Sequence, residues 1–355
     1  MIAAGGTGGH LFPALAVAEA FRERDRANEI LFVGSRRGLE STVLAREGYD
    51  LKTIDAAALK GKSWAGKLSG LMALPGSLRQ SRELIRSFGP ELVLGFGGYA
   101  SGPLVLAAWA SRRKTAIHEQ NAFPGLSNRL LGKFVGRVFI SFESSAAHFP
   151  RSKTVLTGNP VRKRIRQGAP PPPGNGKFTL FVFGGSQGAH RLNETMGQAM
   201  GLLGEMKNRV RVIHQTGERD YEDVRQAYAR EGVDAEVHRF IQDMDRAYGA
   251  ADLVVCRAGA TTIFELMAVG KPAILVPYPY AANDHQTMNA RTLVEAGAAL
   301  MVADRDLDAK RLGAMIEGLS ADPRKRKEIG ERAAAMALPG AAEKIVNLCY
   351  GMVET

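Results

Sequence analysis

The chain is short of cysteine and of long apolar runs, and each shortage closes off a class of protein. Only two cysteines, Cys256 and Cys349, occur in 355 residues. They stand far apart, in no metal or redox spacing, so a disulfide-free cytosolic protein is expected. No apolar run reaches the roughly 18 residues of a membrane-spanning helix. Met1-Ile2-Ala3-Ala4-Gly5-Gly6 lacks the basic start and apolar stretch of a signal peptide. Basic residues are not interleaved with aromatics and no nucleic-acid motif appears, so no nucleic-acid partner is expected. The first glycine-rich turn lacks the Lys of the G-x-x-x-x-G-K-[ST] phosphate loop and is not a clean dinucleotide fingerprint.

What the chain has is glycine, 40 residues of it, placed where short apolar runs end. Ile30–Val33, Leu92–Leu94, Thr115–His118 and Val138–Ser141 read as strands, as do Thr179–Phe183, Val210–His214 and Ala235–Phe240. Helical patterns alternate with them, which predicts parallel sheets covered on both faces. Gly5-Gly6-Thr7-Gly8-Gly9-His10 opens the first helix, and Gly184-Gly185-Ser186-Gln187-Gly188 repeats the device after residue 180. Between them lies Ala169-Pro170-Pro171-Pro172-Pro173-Gly174, an exposed loop or linker. The expected fold class is therefore α/β, with two Rossmann-like domains whose parallel sheets face each other across a cleft. The domains are placed at 1–160 and 161–340, and a last helix follows Pro339-Gly340, at 341–355. The first strand has only Met1 to Ala4, where about five residues are usual, so a start upstream of Met1 is expected.

The most informative stretch runs from Ala251 to Ala290. An apolar run, Leu253–Cys256, breaks at Arg257-Ala258-Gly259-Ala260-Thr261-Thr262 and resumes as a helix through Ile263, Phe264 and Glu265. Gly270 and Pro272 end that helix before the run Ala273–Val276. At such a turn the amide groups and the positive end of the helix dipole favour an anion, typically a phosphate. Thr262-Ile263-Phe264-Glu265 also fits a capping box, which only starts a helix. Gln286 and Asn289 share a helical face and suit sugar hydroxyls, or else serve ordinary helix-start chemistry. His10 stands at a helix entrance, where the dipole favours the neutral imidazole; a plain polar entrance residue is the other reading.

Charge is unevenly spread. Residues 1–168 carry 25 Lys and Arg against 12 Asp and Glu, a net +13; residues 169–355 carry 22 against 24, a net −2. An anionic partner should meet the first half. Trp64, Leu68, Leu71 and Met72 fall on one helical face up to Pro75, among Lys60, Lys62, Lys67, Arg79 and Arg82, while Trp109 precedes Arg112-Arg113-Lys114. Such a stretch can rest in an anionic membrane surface or pack on its own sheet.

Gly-Gly-Thr-Gly-Gly-His at 5–10, Gly-Gly-Tyr-Ala-Ser-Gly-Pro at 97–103, His-Glu-Gln-Asn at 118–121, Gly-Asn-Pro-Val-Arg at 158–162, Gly-Gly-Ser-Gln-Gly at 184–188 and Arg-Ala-Gly-Ala-Thr-Thr with Glu265 follow one another in an order that closely resembles the MurG family. That family transfers N-acetylglucosamine from UDP-N-acetylglucosamine to undecaprenyl-pyrophosphoryl-muramoyl-pentapeptide in bacterial peptidoglycan synthesis. The resemblance implies a GT-B fold whose final helix packs back on the N-terminal domain, and a peripheral place on the cytoplasmic face of the cell membrane. It assigns donor contacts to Thr7, Gly8, Gly9, Asn121, Arg162, Ser186, Ile241, Ala260, Thr261, Thr262, Ile263, Phe264, Glu265 and Gln286. Glu265 would hold ribose hydroxyls and the Ile241 backbone would read uracil. The acceptor would meet Gly97, Gly98, Tyr99 and Ser101.

The implied reaction is a direct displacement with inversion at the anomeric carbon. The attacking 4-hydroxyl is a poor nucleophile, so a base is expected: His10 first, Glu119 second. Departing UDP would be stabilised by the amides at 186–188 and 260–262 and by Arg162. No Asp-x-Asp motif stands in these glycine turns, so helix dipoles and Arg are expected to do a metal's work, without metal or cofactor. Two rivals stay open: a nucleotide-sugar epimerase on the same fold, and a non-enzymatic module that binds anionic surfaces.

Overall fold

The computed structural model describes residues 1–35, 40–56, 64–169 and 176–354; the side chains of helix residues 64–73 are outside the description. Two compact units result, Met1–Arg162 with Leu338–Thr355, and Lys163–Ala337.

In the first unit the described strands are β1 Ile2–Ala3, β2 Leu31–Ser35, β3 Asp50–Ile54, β4 Leu92–Gly95, β5 Lys114–Glu119, β6 Arg137–Ile140 and β7 Thr154–Leu156. They form one parallel sheet in the order β3-β2-β1-β4-β5-β6-β7. The sequence order reverses beside β1, and the carboxyl ends of β1 and β4 diverge there into the turns at 5–10 and 97–100. The helices are α1 Gly8–Arg24, α2 Glu40–Arg46, α3 Trp64–Phe88, α4 Ser101–Ala110 and α5 Leu126–Leu131. Side chains alternate strictly across the sheet. Ile2, Phe32, Leu94, Ala116 and Phe139 pack under Leu11 and Leu15 of α1. Ala3, Val33, Val93, Ile117 and Val138 pack under Leu104 and Val105 of α4. Each large aliphatic buried this way contributes roughly 1.5–3 kcal/mol.

In the second unit β8 Phe178–Phe183, β9 Val210–Gln215, β10 Asp234–His238, β11 Leu253–Cys256, β12 Ala273–Leu275 and β13 Leu300–Met301 form a parallel sheet in the order β10-β9-β8-β11-β12-β13. Its helices are α6 Lys163–Gln167, α7 His190–Leu202, α8 Tyr221–Arg230, α9 Met244–Ala250, α10 Ala260–Val269, α11 His285–Glu295, α12 Ala309–Ala321 and α13 Pro323–Ala335. One sheet face packs Leu180, Val182, Val212 and Val255 against α7, α8 and α12. On the other, Tyr248 of α9 stands edge-on to Phe181 and Phe183, with ring centroids 5.3 and 6.0 Å away.

The last helix, α14 Ala341–Val353, belongs to the first unit and lies along α1. Arg24 donates to Asn347 at 2.5 Å, Asn28 to the Tyr350 hydroxyl at 2.8 Å, and Lys344 to the Leu156 carbonyl at 2.8 Å. Both cysteines are buried thiols; burial pushes that of Cys349 up to about 12.

The structure departs from the sequence reading in three places. α3 runs on through Pro75 to Phe88 instead of stopping at the proline. Strands β3, β7 and β13 went unread, being short or edge strands with polar or half-exposed residues. Thr262 is no cap: α10 starts at Ala260 with Gly259 as its N-cap, so the threonines lie inside the first turn.

Two buried imidazoles make the fold acid-sensitive. His118 donates Nε2–H to the Gly158 carbonyl at 3.2 Å, and burial lowers its pKa to about 4. His214 lies between the Tyr228 hydroxyl at 2.8 Å and Asn193 Oδ1 at 3.1 Å, and burial lowers it to about 3. Below an imidazole's usual value of about 6.5, the unfolded chain takes up protons that the folded chain refuses. Stability is therefore whole above that value and falls as pH drops toward the folded-state values. His118 alone accounts for about 3 kcal/mol over the window. Urea unfolding at about pH 7.5 and about pH 4.5 should show the midpoint falling, and less so in His118→Gln; equal falls in both proteins would contradict the assignment.

Candidate active site

In the first unit two glycine turns, carried on the ends of β1 and β4, press together. Gly97 and Gly98 have φ of +99° and +83°. A Cβ on Gly98 would strike the Gly5 carbonyl, and one on Gly97 would come 2.8 to 2.9 Å from the ring of His10. The imidazole thus lies on a glycine floor. Its Nδ1 is 3.2 Å from the Gly5 carbonyl, which can only accept, so Nδ1 carries the proton in the neutral ring. Nε2 is left as the basic nitrogen. Thr7 caps α1 by backbone position, and its hydroxyl lies 3.4 Å from Nδ1. Gly6, Thr7, Gly9 and Tyr99 form the solvent-facing edge, while Gly8 is buried against Phe12. Arg162 lays its guanidinium 4.1 Å over the Phe12 ring.

One amide of this turn is already committed, and one expectation changes. Gly6 N–H does not face an incoming anion, because it donates to the Glu40 carboxylate at 2.6 Å. Ser101 does not face an acceptor either: it is 1% exposed, with its hydroxyl in the space left by the missing Cβ of Gly95.

Glu119 is the keystone of the neighbouring loop. Its carboxylate accepts from Asn121 N–H at 3.0 Å, Asn121 Nδ2 at 3.2 Å, Gly125 N–H at 3.2 Å and Asn128 Nδ2 at 2.9 Å. It is 2% exposed, and burial raises its pKa against the lowering effect of those donors. Asn121 in turn spends its side-chain amide on Glu119. Gln120 donates to the Phe96 carbonyl at 2.7 Å and ties this loop to the turn after β4.

In the second unit the turns after β8 and β11 lead into α7 and α10. Amides in the first turn of a helix have no intrahelical partner. Gly259 caps α10 without a side-chain hydrogen bond, so Ala260, Thr261 and Thr262 form an amide-rich end. In the other turn Gly188 N–H bonds the Gly185 carbonyl at 3.1 Å and is already committed; Ser186 is half-buried beside it. Ile263 and Phe264, expected near the donor, are 0% and 4% exposed and belong to the core. Glu265 is 4% exposed and accepts from the Tyr248 hydroxyl at 3.0 Å.

Gln286 accepts from Ala258 N–H at 3.2 Å and Tyr278 N–H at 2.9 Å, and Asn289 donates to the Ala258 carbonyl at 3.2 Å. The paired amides therefore brace the turn before α10 with these groups. Ile241 N–H donates to Gln215 Oε1 at 2.7 Å, while Gln215 Nε2 holds the Gly185 carbonyl at 2.9 Å. A base read by Ile241 would meet its carbonyl. Gln215, like Glu40 and Tyr248, escaped the sequence reading. Its only signal was an amide at the carboxyl end of an apolar run.

Asp-x-Asp patterns do occur outside the glycine turns, at Asp243-Met244-Asp245 and, overlapping, in Asp304-Arg305-Asp306-Leu307-Asp308. The first pair is matched to Arg164 at 2.9 and 3.5 Å, and Asp304 to the buried Arg257 at 2.5 Å. Among the described residues no three His, Cys, Asp or Glu side chains gather as a metal site. Of the apolar patch, Trp109 is 44% exposed and lies 4.9 Å from Phe134, itself exposed. The side chains of Trp64, Leu68, Leu71 and Met72 lie outside the described residues.

Residues 1–140 match the glycosyltransferase family 28 N-terminal domain, and residues 179–345 the family 28 C-terminal domain. The chain is 48% identical over 354 residues to the UDP-N-acetylglucosamine--N-acetylmuramyl-(pentapeptide) pyrophosphoryl-undecaprenol N-acetylglucosamine transferase of Syntrophus aciditrophicus, covering 99% of this chain and 98% of that one. Among solved structures, MurG of Acinetobacter baumannii superposes with a TM-score of 0.76 at 30% identity, over 98% of each chain. A structure assigned to a UDP-N-acetylglucosamine 2-epimerase of Listeria monocytogenes superposes at 0.69 over 98% of this chain and 94% of that one. Its 14% identity makes that a likeness of fold alone.

Proposed function

The chain belongs to the MurG family of glycosyltransferases, and from that premise we propose that it moves N-acetylglucosamine from UDP-N-acetylglucosamine to the 4-hydroxyl of undecaprenyl-pyrophosphoryl-muramoyl-pentapeptide. The observation that carries this is the 48% identity running through nearly the whole of both chains. The epimerase has only its fold in common with this chain.

His10 is the base in this reading. Its Nδ1–H is committed to Gly5, so Nε2 takes the acceptor's hydroxyl proton as the oxygen attacks the anomeric carbon. Glu119 shapes the loop that carries Asn121 and takes no proton, since four N–H groups already hold its carboxylate. The diphosphate lies at the amide end of α10, with Ser186 as a further contact, and the dipole there opposes the charge that develops as UDP leaves. Glu265 accepts from the ribose hydroxyls, and Tyr248 holds it in place. The acceptor's pyrophosphate meets the two glycine turns at Gly9, Gly97, Gly98 and Tyr99 rather than the Gly6 amide, which is bonded to Glu40.

Among the described residues no helix is long and apolar enough to cross a membrane. The first unit rests instead on the cytoplasmic face. Trp109, Phe134 and Leu130 stand exposed near Arg112, Arg113 and Lys133, a pairing of apolar and basic groups that suits an anionic lipid surface.

Transfer of labelled sugar to a short-chain lipid acceptor tests the activity. UDP release that depends on acceptor is expected; loss of donor without acceptor would mean an epimerase, and no turnover a binding module. A crystal soaked with the sugar nucleotide should place it at Arg257–Glu265, and density elsewhere refutes the donor site. Sedimentation with anionic but not neutral vesicles, abolished by salt, tests the membrane reading.

A further inference from the structure

Glu40 has no role in the reaction as derived so far, yet it is a buried carboxylate, 2% exposed, directly behind the first glycine turn. Gly6 N–H donates to its Oε1 at 2.6 Å. The Gly5 carbonyl, which belongs to the same peptide group as that N–H, accepts from His10 Nδ1–H at 3.2 Å. One peptide group thus stands between a carboxylate and an imidazole and is hydrogen-bonded to each. Gly5 allows the approach, because any Cβ there would overlap the Glu40 carboxylate. Gly98 fixes the peptide from the other side, pressed on the Gly5 carbonyl. The second carboxylate oxygen, Oε2, is buried with no hydrogen-bond partner among the described residues. Among the described residues, the hydrogen bond that this carboxylate makes is the one from Gly6.

We propose that Glu40 is a positioning residue for sugar transfer, acting on His10 through the Gly5–Gly6 peptide as the carboxylate of a histidine–carboxylate pair acts directly. A carboxylate accepting from an amide N–H shifts electron density toward that amide's carbonyl oxygen, because hydrogen bonds in a chain polarise one another. The carbonyl then accepts more strongly from Nδ1–H. This holds the ring in the tautomer that leaves Nε2 basic and favours the imidazolium formed when Nε2 takes the hydroxyl proton. No atom of Glu40 gains or loses a proton. Among the described residues, His118 on β5 is a titratable group coupled to His10; a charge on His10 opposes protonation of His118. From the turn after β4, Gly97 faces the His10 ring and Gly98 the Gly5 carbonyl.

The inference rests on His10 being the base, and the test separates the two. In the wild-type protein, nitrogen-15 NMR of labelled histidine should show His10 neutral with its proton on Nδ1; a proton on Nε2 overturns the inference with no variant needed. Glu40→Gln keeps an acceptor for Gly6 and removes the charge. It should lower the titration of His10 by about one pH unit. The acid limb of kcat/KM should move down with it, and the plateau should fall roughly three- to tenfold, since a weaker base takes the proton less readily. A structural role alone would leave the titration and the limb where they are, and that result overturns the inference. If His10→Ala transfers sugar as fast as wild type, the base reading fails instead, even with the Glu40–His10 coupling visible by NMR, and Glu40 then has no part in transfer.

Discussion

Changing His10 to alanine should lower kcat for transfer roughly 10²- to 10⁴-fold, the usual contribution of a positioned general base. The donor's affinity should move little, because the diphosphate and ribose contacts proposed here lie mainly on the second unit. The loss should sit in kcat rather than in the donor KM, the pattern of an interaction used in the transition state. The ring also donates to Gly5 and fills the floor at Gly97, so alanine removes more than a base. His10→Asn separates the effects: its amide N–H can stand where Nδ1 stands, yet it has no basic nitrogen. Steady-state rates for both variants, with donor affinity by calorimetry, decide the matter. Asparagine restoring most of the rate would mean that His10 holds the turn and takes no proton.

Glu119→Ala should destabilise the first unit strongly, by about 3–5 kcal/mol. Four N–H groups lose their acceptor, and Asn128 Nδ2 loses it in a buried setting. Burying the carboxylate has its own cost, which is recovered when it is removed, so the total falls below the sum of four bonds. Glu119→Gln should also destabilise, since its amide NH₂ must face one of these donors. Urea unfolding of the variants, set beside activity per folded molecule, distinguishes a keystone from a base. A folded Glu119→Gln protein without turnover would restore Glu119 as the proton acceptor.

Both sheets were legible because most buried strands are short apolar runs, several of them closed by glycine, and period and punctuation are local properties of the chain. Edge strand β3, Asp50–Ile54, was not legible, because half of its residues face water and dilute the pattern. The helix through Pro75 was misread for a related reason. Proline removes one hydrogen bond, and whether a helix survives that depends on the rest of the helix and its packing.

By itself the sequence determined the two α/β units, the glycine turns at their strand ends, the family and the candidate base, all carried by residue type at fixed spacing. Only the tertiary structure decided what the polar residues of those turns are for. Gly6 is turned to Glu40, Glu119 is saturated by its own loop, Gln286 braces Ala258, and Ile263 and Phe264 face the core. The physical reason is that a hydrogen bond needs two partners within about 3 Å. In this fold those partners come from segments tens of residues apart in the chain, and spacing within one segment does not reveal them.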